Sequence, residues 1–137
     1  MIQDVFVYGS LMPGCNNYPV ALEAGAHSAQ PACLEGYELW HLEPEGYPAL
    51  RPGRGRVRGV LLRYLEVAAA LPLLDRLEGV DTDPSEYRCV IETARLADGT
   101  PVRCWTYVYA RKDRLGRAGA RRLEGERWEG GRRGAVN

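Results

Sequence analysis

The stretch SAQPACLEGYELWHLE, residues 28–43, reads as one long strand with Gly36 placed for a bulge or bend. The segment VRGVLLRYL, residues 57–65, has the same strand character and again carries a glycine, Gly59, inside it. Strands that bend at glycines belong to a curved sheet, and a small curved sheet of five or six strands closes or nearly closes on itself. The fold class that follows is α+β, with a small curved sheet or partly closed barrel and one or two short helices. A two-layer α+β arrangement is the alternative. Strict alternation of strand and helix is missing, which argues against a doubly wound parallel sheet.

The remaining elements fit around these two strands. DVFVYGSLMPG, residues 4–14, opens with Val5, Phe6, Val7 and Tyr8 in a row, a buried strand over roughly 3–8 that Gly9 and Ser10 stop abruptly. MPGCNNYP is dense in turn formers, and PVALEAGA adds a short helix. PEGYPALRPGRG, residues 44–55, holds three prolines and reads as a loop. In VAAALPLLDRLEG, Leu71, Leu74 and Leu77 recur at helical spacing, Pro72 suits a first turn, and Gly79 is placed to end the helix. Strands over 86–96 and 102–110 meet at an Asp98-Gly99 turn. Residues 111–137 are rich in Arg and Gly and weakly patterned, with Trp128 as their obvious anchor. No linker or repeat divides the chain, so residues 1–137 are expected to form a single domain.

Composition narrows the functional classes. Hydrophobic residues make up 45% and charged residues 26%, ordinary values for a soluble globular domain. The formal net charge is zero, so no global field draws the chain to nucleic acid or membrane, and no apolar run approaches a membrane span. Residues 1–110 carry 9 Arg against 14 acids, while residues 111–137 carry 9 basic groups against 4 acids. That basic end lacks interleaved aromatics, so a nucleic-acid partner is not expected. No basic region followed by an apolar stretch and a cleavage site opens the sequence, and a cytoplasmic location is the expectation.

The four cysteines are tested by register. With a two-residue Asp98-Gly99 loop, residue 89 faces 108 and residue 104 faces 93, leaving Cys89 and Cys104 too far out of register to bridge. No CxxC spacing occurs, and His27 and His41 lie in unrelated contexts, so no metal site is expected. The cysteines read as small buried hydrophobes.

Two features carry chemistry. A turn directly after a buried strand can aim successive N–H groups at one point, and such a concavity binds anions, carboxylates included. Gly9 would allow a close approach to a ligand, and Ser10 would add a hydroxyl donor. Glu78 sits in the last helical turn, at the unfavourable negative end of the helix dipole, with Asp75 three residues earlier on the same face. Both effects raise its pKa. The dipole contributes only about 0.3–1 kcal/mol, so a base working near neutral pH needs desolvation as well.

In order, these motifs resemble the γ-glutamylcyclotransferase-like family: YGSL (8–11) with Gly14 and Asn17 after it, GYPAL (46–50), VRGVLLRY (57–64), LDRLEG (74–79), EYRCVIE (86–92), CWTYVYA (104–110) and GERW (125–128). The resemblance covers nearly the whole chain. It implies a barrel-like α+β fold with a pocket at one end, in which Tyr8, Gly9, Ser10 and Leu11 hold a γ-glutamyl group and Glu78 is the catalytic acid/base. Tyr47 and Tyr107 are further candidates for lining the pocket, with Tyr87, Arg88 and Tyr109 behind them. The implied partner is a small-molecule γ-glutamyl amine, whose own α-amine attacks its side-chain carbonyl to give 5-oxoproline and a free amine. That reaction implies no metal, no cofactor and no protein nucleophile, in keeping with the lack of a Cys–His or Ser–His–Asp set. The alternative is a non-catalytic member that binds a small ligand or a protein with the same pocket. Departures from the family pattern are mild: Pro72 interrupts the segment leading into the helix, and Glu126 stands where an aspartate is common.

Overall fold

The computed structural model describes residues 2–43, 46–80, 82–115, 119–123 and 128. Its strands are β1 (Asp4–Val7), β2 (Ala26–Leu42), β3 (Tyr47–Tyr64), β4 (Tyr87–Leu96), β5 (Pro101–Tyr109) and β6 (Ala120–Arg122). Helix α1 spans Tyr18–Glu23, α2 spans Val67–Glu78, and α3 is a single turn, Lys112–Leu115. Residues 125–127 of GERW, Glu126 among them, lie outside the described residues. Among the described residues no helix is long and apolar enough to cross a membrane.

Strand β3 closes the sheet. It pairs antiparallel with β1 and with β2, so the order β3–β1–β5–β4–β2 returns to β3. β1 and β5 run parallel and the other neighbours antiparallel, which makes a mixed five-stranded barrel, and β6 extends the β2 edge. The α+β barrel expected from the bent strands is the fold observed.

The region 44–55, read as a loop, is corrected: from Tyr47 onward it is the first half of β3, paired with β2 from Tyr47↔Leu42 to Arg56↔Glu35. The β1 pairing begins only at Val60. A flank without that second neighbour tolerates Pro48 and Pro52, whose missing N–H groups would break a central ladder. Gly36 does mark a bulge, at φ +83°, where the β2–β3 register shifts between Glu35 and Tyr37. Gly59 has a different reason from the curvature expected of it. A Cβ there would lie 2.3 Å from the Val7 carbonyl oxygen and 2.7 Å from the Phe6 ring, so glycine lets β1 and β3 approach.

The hairpin register is also corrected. Leu96 N–H donates to the Thr100 carbonyl (2.9 Å), and Gly99 takes φ +89°, so the loop has three residues and ends in a left-handed glycine. Cys89 therefore faces Tyr107, and Cys104 faces Glu92, one residue away from the two-residue reading. The slip matters because cross-strand partners share a face. It puts Tyr107 and Tyr109 on the same side as Tyr87 and Cys89. All four cysteines are free thiols.

In α2 the buried stripe is Val67, Ala70 and Leu74. Leu77, expected on that stripe, is 40% exposed. Pro72 lies inside the helix, not in its first turn. Gly79 (φ +71°) ends it in a Schellman motif: its N–H donates to the Arg76 carbonyl (3.3 Å) and that of Val80 to the Asp75 carbonyl (3.0 Å). Two apolar clusters flank the sheet. One joins Val5, Val7, Leu62 and Tyr107 to Ala70 and Leu74 of α2. The other, around Phe6, Leu34, Leu50 and Leu61, contains no residue of the described helices.

The Gly59→Ala variant should lose about 1–3 kcal/mol of stability in urea unfolding, the usual cost of overpacking. An unchanged midpoint would show that β1 and β3 are not held as closely as described.

Candidate active site

Strand β1 is buried along its whole length and delivers the chain straight into a turn. In that turn the Gly9 and Ser10 carbonyls are both engaged. Met12 N–H donates to the Gly9 carbonyl (3.0 Å) and Asn17 N–H to the Ser10 carbonyl (2.9 Å). Among the described residues the N–H groups of Gly9, Ser10 and Leu11 have no backbone acceptor. The Asn17 side-chain amide donates to Ser10 Oγ (2.8 Å), which leaves the Ser10 proton available to an acceptor. Behind the turn, a Cβ on Gly9 would lie 2.7 Å from Pro48 Cγ and 3.8 Å from Trp128. Packing against Pro48 therefore demands glycine here, whatever a ligand adds.

A cavity of about 270 Å³ opens beside this turn. Its wall includes Tyr8, Gly9, Ser10, Leu11 and Asn17 from the turn, Tyr47 and Pro48 from β3, Leu77, Glu78 and Gly79 from the end of α2, Glu86 and Tyr87 at β4, and Tyr107 from β5. All seven residues singled out in the sequence thus meet around one space. Of the residues held in reserve, Tyr87 reaches the cavity wall; Arg88 and Tyr109 do not.

Glu78 keeps some exposed surface because it fronts the cavity, yet protein surrounds it closely enough to strip most of its hydration. That desolvation lifts its pKa from the ordinary 4.5 to about 7. The like charge of Asp75, expected to add repulsion, is instead engaged by the Tyr107 hydroxyl, which donates to Asp75 Oδ1 (2.6 Å). Burial also pushes the Tyr8, Tyr87 and Tyr107 phenols well up, so these stay protonated. The Tyr8 hydroxyl donates to the Tyr107 carbonyl (2.6 Å) and that of Tyr87 to the Pro48 carbonyl. The Cys89 thiol, whose residue faces Tyr107 across the β4–β5 hairpin, is pushed up to about 11 by desolvation and then by the Asp75 charge, which leaves it a poor nucleophile. The chemistry available is proton transfer by a carboxyl near neutral pH, opposite amide donors suited to charged oxygens.

Sequence reasoning places Asn17, Pro48 and Glu86 within motifs but assigns them no task. Glu86 accepts the Tyr47 hydroxyl (3.1 Å), and its backbone N–H donates to the Gly79 carbonyl (3.0 Å). Only the closing of β4 onto the end of α2 brings it to the cavity, and no local pattern marks it.

Residues 5–130 match the family described as Gamma-glutamyl cyclotransferase, AIG2-like. Among solved structures, a protein from Arabidopsis thaliana is 28% identical with a TM-score of 0.66, over 83% of this chain and 66% of that one. The chain thus spans slightly less than two thirds of that relative. An AIG2-like protein from Mus musculus is 25% identical with a TM-score of 0.70, over 93% and 88% of the two chains. A structure named Gamma-glutamyl cyclotransferase shares the fold at 20% identity and a TM-score of 0.59, over 79% and 66%. Among curated proteins no sequence match was found.

The raised pKa of Glu78 has a consequence for stability that needs no substrate. The folded protein holds this proton more tightly than the unfolded chain does. Its contribution is therefore fully present below pH 4.5 and is lost as pH rises through about 7. Glu78→Gln, which imitates the protonated acid, should match the wild type at about pH 4 and exceed it at about pH 8.5 by about 1–3 kcal/mol in urea unfolding. A difference that does not vary with pH would place the carboxyl in water.

Proposed function

We propose, from the premise that this chain belongs to the Gamma-glutamyl cyclotransferase, AIG2-like family, that it is a cyclotransferase acting on a small γ-glutamyl amine. The observation carrying this reading is the meeting of Glu78, with its pKa near 7, and the N–H groups of Gly9, Ser10 and Leu11 around one cavity. The substrate is a glutamate whose side-chain carbonyl is linked to an amine. Its α-ammonium is protonated at neutral pH and cannot attack until a base removes a proton. Glu78 takes that proton, and the freed amine closes on the side-chain carbonyl carbon. A new C–N bond forms in a five-membered ring as the old amide C–N bond breaks. Glu78 gives its proton to the departing nitrogen and takes the surplus proton that ring closure leaves on the attacking nitrogen, so the products are 5-oxoproline and the released amine, with no water consumed.

Orientation supplies much of the remaining rate, because the reacting amine and carbonyl must be folded together against an extended ground state. The turn amides and the Ser10 hydroxyl are suited to hold the charged oxygens of the glutamyl group while this happens. Leu11, 3% exposed, and Tyr8 back the turn, and Tyr47 and Tyr107 wall the space in which the ring closes. A pure binding role is disfavoured by Glu78 itself. A pocket meant only to hold an anionic glutamyl group gains nothing from a desolvated carboxyl beside it.

Incubation with a panel of γ-glutamyl compounds, including dipeptides and γ-glutamyl amines, should release 5-oxoproline. Glu78→Gln should cut that release by at least about 10²-fold with its thermal unfolding intact. Equal turnover by the Gln variant would remove Glu78 from the mechanism. Binding of panel members with no turnover would make the chain a binding protein.

A further inference from the structure

The tyrosines around Glu78 direct their hydroxyl protons elsewhere. Tyr8 donates to the Tyr107 carbonyl, Tyr87 to the Pro48 carbonyl, Tyr47 to Glu86, and Tyr107 to Asp75. Among the described residues no hydrogen bond stabilises the Glu78 carboxylate, whose pKa is raised by desolvation alone. Two of those four protons are tied to the main chain and one to Glu86, the residue before β4. The fourth is held by a close neighbour of Glu78, since Asp75 lies three residues earlier on the same face of α2. The Tyr107 phenol shares the cavity wall with Glu78 and feels the charge of both carboxylates.

We infer that Asp75 is a positioning residue: by accepting the Tyr107 hydroxyl, it keeps that proton donor off the Glu78 carboxylate and preserves Glu78 as an unassisted base. The physical reason is direct. A phenol donating to a carboxylate stabilises the anion and lowers its pKa, and such a charge-assisted bond is short and strong. Released from Asp75, Tyr107 would turn a base poised near neutral pH into an ordinary, weaker one. Among the described residues the titratable groups that share the cavity wall with Glu78 are Tyr8 from the β1 turn, Tyr47 from β3, Glu86 and Tyr87 at β4, and Tyr107 from β5; Asp75 lies one helical turn earlier on α2, and the Cys89 thiol on β4 is the other group within reach of the Tyr107 hydroxyl. Arg111 lies behind Glu86 (4.0 Å) and is paired with Asp113 (2.9 Å).

The catalytic consequence rests on reading Glu78 as the base; the tether does not, so its test needs no turnover. Protein labelled with ¹³C at the glutamate side-chain carboxyl is titrated by NMR, the Glu78 signal being the one lost in Glu78→Gln. Asp75→Ala should lower the Glu78 midpoint by about one pH unit. Asp75→Asn, which keeps an acceptor for Tyr107 but removes the charge, should stay near the wild type. The double variant Asp75→Ala, Tyr107→Phe should return most of the way to it. If the Ala variant does not fold, Asp75→Leu, which also cannot accept the hydroxyl, carries the same expectation. An unmoved midpoint in Asp75→Ala or Asp75→Leu would overturn the inference. So would an Asn variant shifted as far as the Ala variant, because charge alone would then be the cause, or a double variant that stays low. Where turnover is measurable, the acid limb of kcat/KM should move with the titration. Absence of turnover in every protein would count against the function proposed above and leave the titration result standing.

Discussion

The desolvation of Glu78 is the constraint the rest of this structure has to satisfy. Its pKa is raised to about 7, and every tenfold fall in acidity corresponds to about 1.4 kcal/mol against the anion. The surroundings must therefore be stable enough to hold the carboxyl in place. The Schellman motif at Gly79 fixes the end of α2 without a side-chain cap, and fully buried Leu74 anchors the preceding turn in the core. Strand β4 is then tied to that end. Glu86 N–H donates to the Gly79 carbonyl, and Ala110 N–H donates to the Glu86 carbonyl (2.8 Å). A run of aromatic contacts, Tyr47 to Tyr87 at 6.2 Å and Tyr87 to Tyr109 edge-on at 5.2 Å, fills the wall between them.

The facing wall meets a different requirement: the amides of Gly9, Ser10 and Leu11, which have no backbone acceptor among the described residues, must be held on a backbone that does not move. Buried β1 holds the turn from one side, and the Gly9 and Ser10 carbonyls accept bonds that curl the following residues back. Pro48 packs on Gly9 from behind, with buried Trp128 next to it. Trp128 is pinned in turn, since its indole N–H donates to His41 Nδ1 (3.0 Å). That bond leaves Nε2 to carry the proton of neutral His41 towards Glu43 (2.7 Å). Residues from both ends of the chain thus brace one turn.

Much of this was legible locally. The buried run Val5–Tyr8, its stop at Gly9-Ser10, the helix end at Gly79 and the hairpin near Asp98-Gly99 all depend on the backbone preferences of a few adjacent residues. The motif order that resembles a known family brought Tyr8, Gly9, Ser10, Leu11 and Glu78 forward together. Misreadings arose where a distant partner overrode a local preference. Residues 47–55 look like a loop because of their prolines and glycines, yet β2 supplies a ladder along one side. Leu77 continues a leucine spacing, but the helix ends beside an open cavity and leaves it exposed.

What the sequence determined by itself is therefore most of the elements, their order and the short motifs that end them, but not the first half of β3, nor α3 and β6 in the weakly patterned stretch after residue 110. Tertiary structure alone decided the one-residue hairpin register that places Tyr87 and Tyr107 on one face. It also decided the close approaches that require glycine at positions 9 and 59. Above all it decided the removal of water from Glu78 and the routing of each tyrosine hydroxyl away from it. The physical reason is range. Propensity and capping act over a single turn of chain, whereas desolvation and side-chain hydrogen bonding depend on atoms that arrive from 30 to 100 residues away.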